Sequence, residues 1–280
     1  MTLRQSFFVP PVPFLVAEEL GLFAEAGVEV ESRRARSSTE QLDGLHSGEI
    51  DLAITAMDNV FVWNQRGVDL RVVAQVEATT LLTVYARPGT RSLDDLSGGR
   101  FAVDAMTNGF ALIARRLLEE AGVSASFVEA GGVKERLDAL IEGTVDGTLL
   151  GPPLDELAER VGMVALASAN AAFPELPGQG VVVRAQRPAG ENAKITAYIS
   201  ALAAATEMAN HMADADGVAL LKENGFPGRS AVNAWRSRPS GIAVDSDGLA
   251  LVESIRADFG LLPPGYKGAA DILDGSFAGL

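Results

Sequence analysis

Apolar residues recur along the chain at helical spacing in stretches that are separated by short apolar runs. One helical stretch covers residues 14–26 and another covers residues 113–121, and each ends in Ala-Gly. Glycine at that place supplies the left-handed residue that commonly ends a helix. The short apolar or β-branched runs that follow are typical of strands. Strands that alternate with helices of this length predict βαβ units and parallel sheets.

Three landmarks of this pattern occur twice, at a constant offset of 95 residues. They are the glycine after the first helix, the glycine after the second helix and the aspartate before the next strand: Gly27 and Gly122, Gly48 and Gly143, Asp51 and Asp146. Chance readily matches one landmark, but not three in register. The chain is therefore predicted to contain two similar βαβαβ lobes.

The order of the predicted elements also suggests where the lobes meet. The chain leaves lobe 1 near residue 85 and returns near residue 184, which predicts lobe 1 as 1–85 plus 185–280 and lobe 2 as 86–184. Four helices are expected after the return, at residues 193–212, 215–224, 230–236 and 247–259, and they are assigned to lobe 1. The predicted fold class is α/β, a two-lobed clamshell of repeated βαβαβ units with C-terminal helices. Ligands of such sheets bind outside the carboxyl ends of the strands, so the cleft is expected there.

Composition excludes several classes of function. The chain has no cysteine, which excludes disulfides, thiolate metal sites and a cysteine nucleophile, and two histidines are too few for a histidine-rich metal site. The 37 acidic and 23 basic side chains give a net charge of -14, which repels nucleic acid and anionic lipid. We expect no cofactor, no nucleic-acid partner and no membrane insertion.

The first residues do not have the pattern of an export signal, and no window approaches the roughly 18 apolar residues of a membrane span. On the sequence as given, a cytoplasmic location is expected. An extracytoplasmic location is expected if an export signal has been trimmed.

Several sequence motifs carry a family likeness. The segment FLVAEELGLFAEAGVEV at residues 14–30, with LHSGEIDLA at residues 45–53, resembles the type II solute-binding proteins of ABC importers. It is most similar to the branch for nitrate, sulfonates, taurine and thiamine-pyrimidine precursors. The segment SLDDLSGGRFAV at residues 92–103 resembles the passage into that family's second lobe. The resemblance implies a hinged fold that closes on a small-molecule ligand, with an ABC permease as a partner. The cysteine-rich motif of the related thiamine-pyrimidine synthases is missing, so that activity is not expected.

Two predicted helix starts that face the cleft are candidate anion sites. Ser37 and Ser38 stand at the start of the second helix of lobe 1, where Ser38 has capping-box spacing to Gln41. Thr107, Asn108 and Gly109 open the first helix of lobe 2. The free amides and the positive dipole end of such a start bind carboxylate, sulfonate or phosphate. The alternative at each start is a helix cap without a ligand.

The other candidates follow predicted strands at the cleft. Arg36 belongs to a tight basic cluster and is either a bidentate clamp for a carboxylate or part of a solvated rim. Asp58 either caps the helix that follows it or accepts a hydrogen bond from the ligand. The remaining positions supply hydroxyl, apolar or backbone surface, and they are Phe8, Pro10, Thr55, Met57 and Gly151.

Together these features predict a protein that binds a small organic anion in the cleft between its lobes. The ligand is expected to be a sulfonate, a carboxylate or a heterocyclic acid, and the protein to be the substrate-binding component of an ABC-type importer. The alternative is a cytosolic enzyme on the same fold, a decarboxylase or lyase for a small aromatic or cyclic acid, with Asp58 or Asp104 as acid or base. The lack of a histidine or cysteine constellation favours the binding protein.

Overall fold

The computed structural model describes residues 1–277, which form two five-stranded sheets covered by helices. The strands are β1 (Thr2–Phe7), β2 (Glu29–Arg34), β3 (Leu52–Ala56), β4 (Leu70–Gln75), β5 (Thr83–Ala86), β6 (Arg100–Val103), β7 (Ser126–Glu129), β8 (Gly147–Leu150), β9 (Val164–Ser168) and β10 (Gln179–Arg184).

The helices alternate with the strands through both lobes and then continue without strands to the end of the described chain. They are α1 (Val12–Glu19), α2 (Leu22–Glu25), α3 (Ser38–Ser47), α4 (Asn59–Asn64), α5 (Gly109–Glu120), α6 (Val133–Ile141), α7 (Leu154–Arg160), α8 (Ala169–Ala172), α9 (Ala189–His211), α10 (Asp214–Glu223), α11 (Gly228–Arg236) and α12 (Ser246–Asp258). Within residues 1–277, none of the helices combines the length and the apolarity needed to cross a membrane.

The two sheets have the same topology. Sheet 1 has the order β2-β1-β3-β10-β4 and sheet 2 has the order β7-β6-β8-β5-β9. In each sheet the first three strands are parallel, and the fourth runs antiparallel to its neighbours. The predicted fold class, two repeated α/β lobes with C-terminal helices, is confirmed.

The chain passes twice from one lobe to the other. In each case the strand at the passage pairs with the sheet that the chain enters. Strand β5 pairs with β8 and β9 in sheet 2, and β10 pairs with β3 and β4 in sheet 1. The predicted lobe boundaries at residues 85 and 184 fall at the far ends of these strands, whereas the pairing puts the crossings before residues 83 and 179. A short apolar run carries no signal for which of two sheets it will join.

The landmarks of the sequence repeat have matching backbone conformations. Gly27 and Gly122 both have φ of +73°, and Gly48 and Gly143 have φ of +74° and +73°. Each residue ends a helix in the left-handed region, where a side chain would be strained. The glycine landmarks are therefore structural in both lobes.

The aspartate landmark joins the first and third strands of each lobe. The Asp51 carboxylate accepts the backbone N–H of Arg4 at 2.7 Å and its guanidinium at 2.8 Å. In lobe 2 the Asp146 carboxylate accepts the backbone N–H of Arg100 at 2.8 Å. The Asp51 side chain is 2% exposed and the Asp146 side chain 36% exposed, so the lobe 1 contact is much better shielded from water.

The C-terminal helices contact both lobes, whereas the sequence assigned them to lobe 1. Helix α9 packs on lobe 1, where the Tyr198 hydroxyl donates to Gln5 Oε1 at 2.6 Å. Helix α11 reaches lobe 2 through the Ser230 hydroxyl, which donates to Asp155 at 2.6 Å. Helix α12 places Val252 in the core of lobe 1 and Ile255 in the core of lobe 2. The helical periodicity shows that each helix has a buried face, but not which lobe covers it.

We predict that Asp51→Asn lowers the free energy of unfolding by about 1.5–3 kcal/mol, the range for hydrogen bonds to a charged group. The matched control Asp146→Asn, at the same place in the more exposed repeat, is expected to cost clearly less. Urea unfolding monitored by circular dichroism measures both. Equal losses would contradict the role given to burial.

The same contact predicts a dependence on pH. Burial acts to raise the pKa of Asp51, but the hydrogen bonds from Arg4 outweigh it and the pKa lies below its usual value. The contribution of Asp51 is thus fully present above the pKa of an unfolded aspartate and is lost as the pH falls through the lower folded value. Unfolding of Asp51→Asn should therefore differ most from that of the wild type at neutral pH, and the gap should narrow in acid.

Candidate ligand site between the lobes

A pocket of about 100 Å³ lies between the lobes where the strands of both sheets end. Its wall on the lobe 1 side includes Phe8, Pro11 and Val12, and its wall on the lobe 2 side includes Phe110 and Val133. This position outside the strand ends is the one expected for a ligand of an open α/β sheet. The pocket is lined mostly by apolar side chains, with a few polar groups among them.

The structure brings some of the predicted site residues together around this pocket. Those that line it are Phe8, Pro10, Thr55, Asn108 and Gly151. Those that do not are Arg36, Ser37, Ser38, Met57, Asp58, Thr107 and Gly109. Gly151 is required by close packing, because a Cβ there would lie 2.0 Å from the carbonyl oxygen of Leu81.

The start of α3 is occupied by a carboxylate of the other lobe. The residue that caps α3 is Ser37, whose hydroxyl accepts the N–H of Glu40 at 3.1 Å, and not Ser38 as the capping-box spacing predicted. The backbone N–H of Ser38 donates to Asp104 of lobe 2 at 3.3 Å. Asn108 of lobe 2 donates to the Ser38 hydroxyl at 2.8 Å. The predicted anion site at this helix start is filled by the protein itself.

The start of α5 in lobe 2 is likewise occupied by a carboxylate, which here comes from lobe 1. Asp58 of lobe 1 lies against Gly109, where a Cβ would come within 2.1 Å of the carboxyl carbon, and it accepts the Gly109 N–H. A cap of α4 was one of the two alternatives for Asp58, yet its side chain makes no cap hydrogen bond there. Asn108 stands at the N-cap position of α5, but its side chain does not cap the helix.

A guanidinium from α12 completes this second contact. Arg256 Nη2 donates to Asp58 at 2.5 Å and to the carbonyl oxygen of Thr107 at 2.9 Å. Arg256 is 1% exposed and Asp58 3% exposed, so the pair is buried between the lobes. Burial raises the pKa of the Asp58 carboxyl, and the charge and hydrogen bond of Arg256 act against that shift. Removing one partner of a buried pair leaves an uncompensated charge and is strongly destabilising.

Arg36 joins the lobes through its backbone and not through its side chain. Its carbonyl oxygen accepts the N–H of Gly132, the residue before α6, at 2.8 Å. Its side chain is 82% exposed and pairs with Glu40 at 3.3 Å. Of the two alternatives for Arg36, the clamp does not match this arrangement, since the side chain is an exposed surface group in an ion pair and does not line the pocket.

Among the residues that line the pocket, Arg136 of α6 was missed by the sequence analysis. It is 3% exposed, and burial lowers its pKa to about 10 against the opposing charges of Asp104 and Glu135. The guanidinium therefore stays protonated at neutral pH. Within residues 1–277 the hydrogen bond found for its side chain runs to the carbonyl oxygen of Leu149 at 3.4 Å, and Nε has no partner. A buried cation without a carboxylate partner is available to a ligand.

Other polar groups of the pocket have protein partners. Glu77 accepts hydrogen bonds from Gln179 Nε2 at 3.0 Å and from the Thr80 hydroxyl at 3.3 Å, and its burial raises its pKa. Arg238 lies over the ring of Trp235 and pairs with Asp214 at 3.5 Å.

Asn59 and Arg238 each have one further unsatisfied polar atom among the lining residues. The Asn59 amide donates to the Thr55 hydroxyl at 2.7 Å, while its oxygen has no partner among the described residues. The Arg238 Nε likewise has no partner there. The chain from 1 to 277 brings no three His, Asp or Glu side chains together in an arrangement for a metal ion.

We predict that Gly109→Ala forces the lobes apart, because its methyl group would overlap the Asp58 carboxylate. The expected result is a larger radius of gyration in small-angle scattering and a lower melting temperature. The control is Gly190→Ala in α9, where a Cβ would meet no atom within 4 Å. A Gly109→Ala protein as compact and as stable as the wild type would overturn this account of the interlobe contact.

Solved structures with the same fold cover nearly the whole chain. The ligand-binding component of an ABC-type import system from Staphylococcus aureus, with zinc bound, has a TM-score of 0.83 at 14% identity and covers 99% of this chain and 97% of its own. The alkanesulfonate-binding protein of Xanthomonas axonopodis pv. citri, bound to MOPS, has a TM-score of 0.76 at 18% identity, with 97% of each chain covered. The periplasmic nitrate-binding protein of Synechocystis PCC 6803 has a TM-score of 0.76 at 13% identity and covers 94% of this chain and 83% of its own. At these identities the likeness establishes the fold.

Sequence comparison with curated proteins gives no match. The profile of one family, described as NMT1/THI5 like, matches residues 11–215, which include both lobes and the start of the C-terminal helices. This match covers well over half of the chain, and the chain belongs to the NMT1/THI5-like family.

Proposed function

We propose that this protein binds a small organic anion in the pocket between its lobes, as the substrate-binding component of an ABC-type importer. The observation that carries the proposal is a mostly apolar pocket between the lobes with a buried cation, Arg136, that has no carboxylate partner in the described chain. An apolar body and one acidic group are the chemistry that complements such a site. A sulfonate, a carboxylate or a heterocyclic acid fits this description.

The comparisons support a binding role. The structural relatives include proteins named for alkanesulfonate and for nitrate, both anions, and one described as part of an ABC-type import system. A permease of that type is the partner we propose for this chain. The nature of the ligand is inferred from the pocket, since one relative holds zinc instead of an organic anion.

The geometry is suited to capture by closure. The cross-lobe contacts of Asp58 and Asp104 hold the two lobes together around the pocket. Closing the lobes removes water from the ligand, which strengthens its hydrogen bonds and buries its apolar surface.

The enzyme alternative depended on Asp58 or Asp104 as the acid or base. Asp58 does not line the pocket, and both carboxylates are engaged in contacts between the lobes. No observation on the described residues favours a catalytic role for either, so the binding protein is the function we propose.

We predict that the melting temperature rises with at least one member of a panel of butyrate, benzoate, propanesulfonate, benzenesulfonate and nicotinate. Native mass spectrometry of the freshly purified protein, compared with denaturing conditions, identifies any ligand that it retains. A wild-type protein that responds to none of these acids and retains no organic acid would contradict the proposal.

Phe8→Ala should reduce the ligand-induced shift, because it removes apolar surface from the pocket wall. The matched control is Phe127→Ala, a partly buried phenylalanine that packs on Phe101 away from the pocket. Phe127→Ala should lower the melting temperature but leave the ligand-induced shift unchanged. Equal shifts in the two variants would exclude Phe8 from the site.

A further inference from the structure

We infer that Arg136 is the receptor for the charge of the ligand, and that the ligand carries one negative charge only. This inference rests on the proposed function and extends it to the residue and the charge class that decide specificity. The two lobes differ at the position of Arg136.

The internal repeat pairs Arg136 with Gln41, since the offset of 95 residues places them at equivalent positions of α6 and α3. Gln41 Nε2 donates to the carbonyl oxygen of Ile54 at 3.1 Å. Arg136 Nη2 donates to the carbonyl oxygen of Leu149, the counterpart of Ile54, at 3.4 Å. Both side chains therefore fasten their helix to the equivalent strand, and the neutral amide does so at the shorter distance.

Gln41 makes a second hydrogen bond to its sheet, which Arg136 does not make. Its amide also donates to the carbonyl oxygen of Ser6 at 3.2 Å. Ala53 and Thr148 are equivalent in the repeat, since they are 95 residues apart. Ser6 pairs with Ala53 and Ala102 pairs with Thr148, so Ala102 is the counterpart of Ser6. In lobe 2 the Thr148 hydroxyl donates to the Ala102 carbonyl at 2.9 Å, which Ala53 in lobe 1 cannot do.

Lobe 2 thus leaves Arg136 with a single long hydrogen bond for which a neutral amide suffices. Asp104 and Glu135 act on the charge of the guanidinium, but neither forms an ion pair with it in the described chain, and the group is held at 3% exposure with Nε unsatisfied. Burying an unpaired cation is costly. A ligand anion that enters the pocket supplies the missing partner, and the planar fork of arginine suits a carboxylate or a sulfonate.

The other charged groups of the pocket limit the ligand to one negative charge. Asp104 and Glu77 both line it, and neither forms an ion pair within the described chain. Arg238, the other lining cation, differs from Arg136 in having a carboxylate partner, Asp214, and in lying over the Trp235 ring, while its Nε is unpaired. A second negative charge on the ligand would face these carboxyl groups without a free cation to balance it.

The test is Arg136→Gln, which gives lobe 2 the residue that already performs the structural task in lobe 1. Calorimetric titration compares each acid with its uncharged amide, butyrate with butyramide and benzoate with benzamide. It also compares propanesulfonate with propylphosphonate at a pH where the phosphonate is doubly charged. Arg91→Gln, an exposed position in the same lobe outside the pocket, controls for the change in net charge.

The wild type should prefer the acid over its amide and the sulfonate over the phosphonate. Arg136→Gln should weaken acid binding by roughly 10- to 100-fold, the worth of a hydrogen bond to a charged group, and bring the acid-to-amide ratio close to one. Arg91→Gln should leave the ratio unchanged. Arg136→Lys keeps a charge, and it should retain part of the preference for the acid even if Arg136→Gln proves unstable.

The two levels of the proposal fail differently. The inference is overturned if a folded Arg136→Gln protein, or an Arg136→Lys protein, binds acids and amides in the wild-type ratio. It is also overturned if the wild type binds the phosphonate as tightly as the sulfonate or more tightly. Either result leaves the proposed function standing. If the wild type binds none of the acids, the proposed function itself is wrong.

Discussion

The backbone amides at the starts of two helices determine how the two lobes contact each other, because these amides have no acceptor within their own helix and require one from elsewhere. Asp104 of lobe 2 supplies it to α3 of lobe 1, and Asp58 of lobe 1 supplies it to α5 of lobe 2. Each lobe thus completes a helix of the other. Arg256 adds a buried ion pair that brings a C-terminal helix into the same contact. The pocket lies between the lobes, where these contacts hold the strand ends of the two sheets face to face.

The same contacts account for the distribution of charge around the pocket. The helix starts can hold an anion, but in this structure a carboxylate of the protein holds each place, so neither is open to the acid of a ligand. Positive charge for the anion that we propose as the ligand then has to come from a side chain, and Arg136 lies buried among the lining residues of lobe 2. The overall charge of -14 is compatible with an anionic ligand because a desolvated cation acts locally, whereas exposed carboxylates are screened by water and salt.

A comparison of equivalent positions in the two lobes distinguishes residues that serve the fold from residues whose charge differs between the lobes. Positions that keep their residue and their geometry in both lobes, such as Asp51 and Asp146, serve the fold. Gln41 and Arg136 keep their place but differ in charge, and Thr148 takes over one of the carbonyls that the amide serves in lobe 1. A change of charge that the local structure does not need is the feature that directs attention to Arg136.

The sequence by itself determined the two α/β lobes, since periodicity, helix-ending glycines and the offset of 95 residues are local signals. The sequence also identified some of the residues that line the pocket, among them Phe8 and Asn108. Only the tertiary structure decided which sheet receives β5 and β10, and that the C-terminal helices bridge the lobes. It likewise assigned Asp58 and Asp104 to helices of the opposite lobe. Local sequence patterns determine which groups need a hydrogen-bond partner. The partner itself is set by contacts between residues as distant in sequence as Asp58 and Arg256. The spacing of residues along the chain does not indicate those contacts.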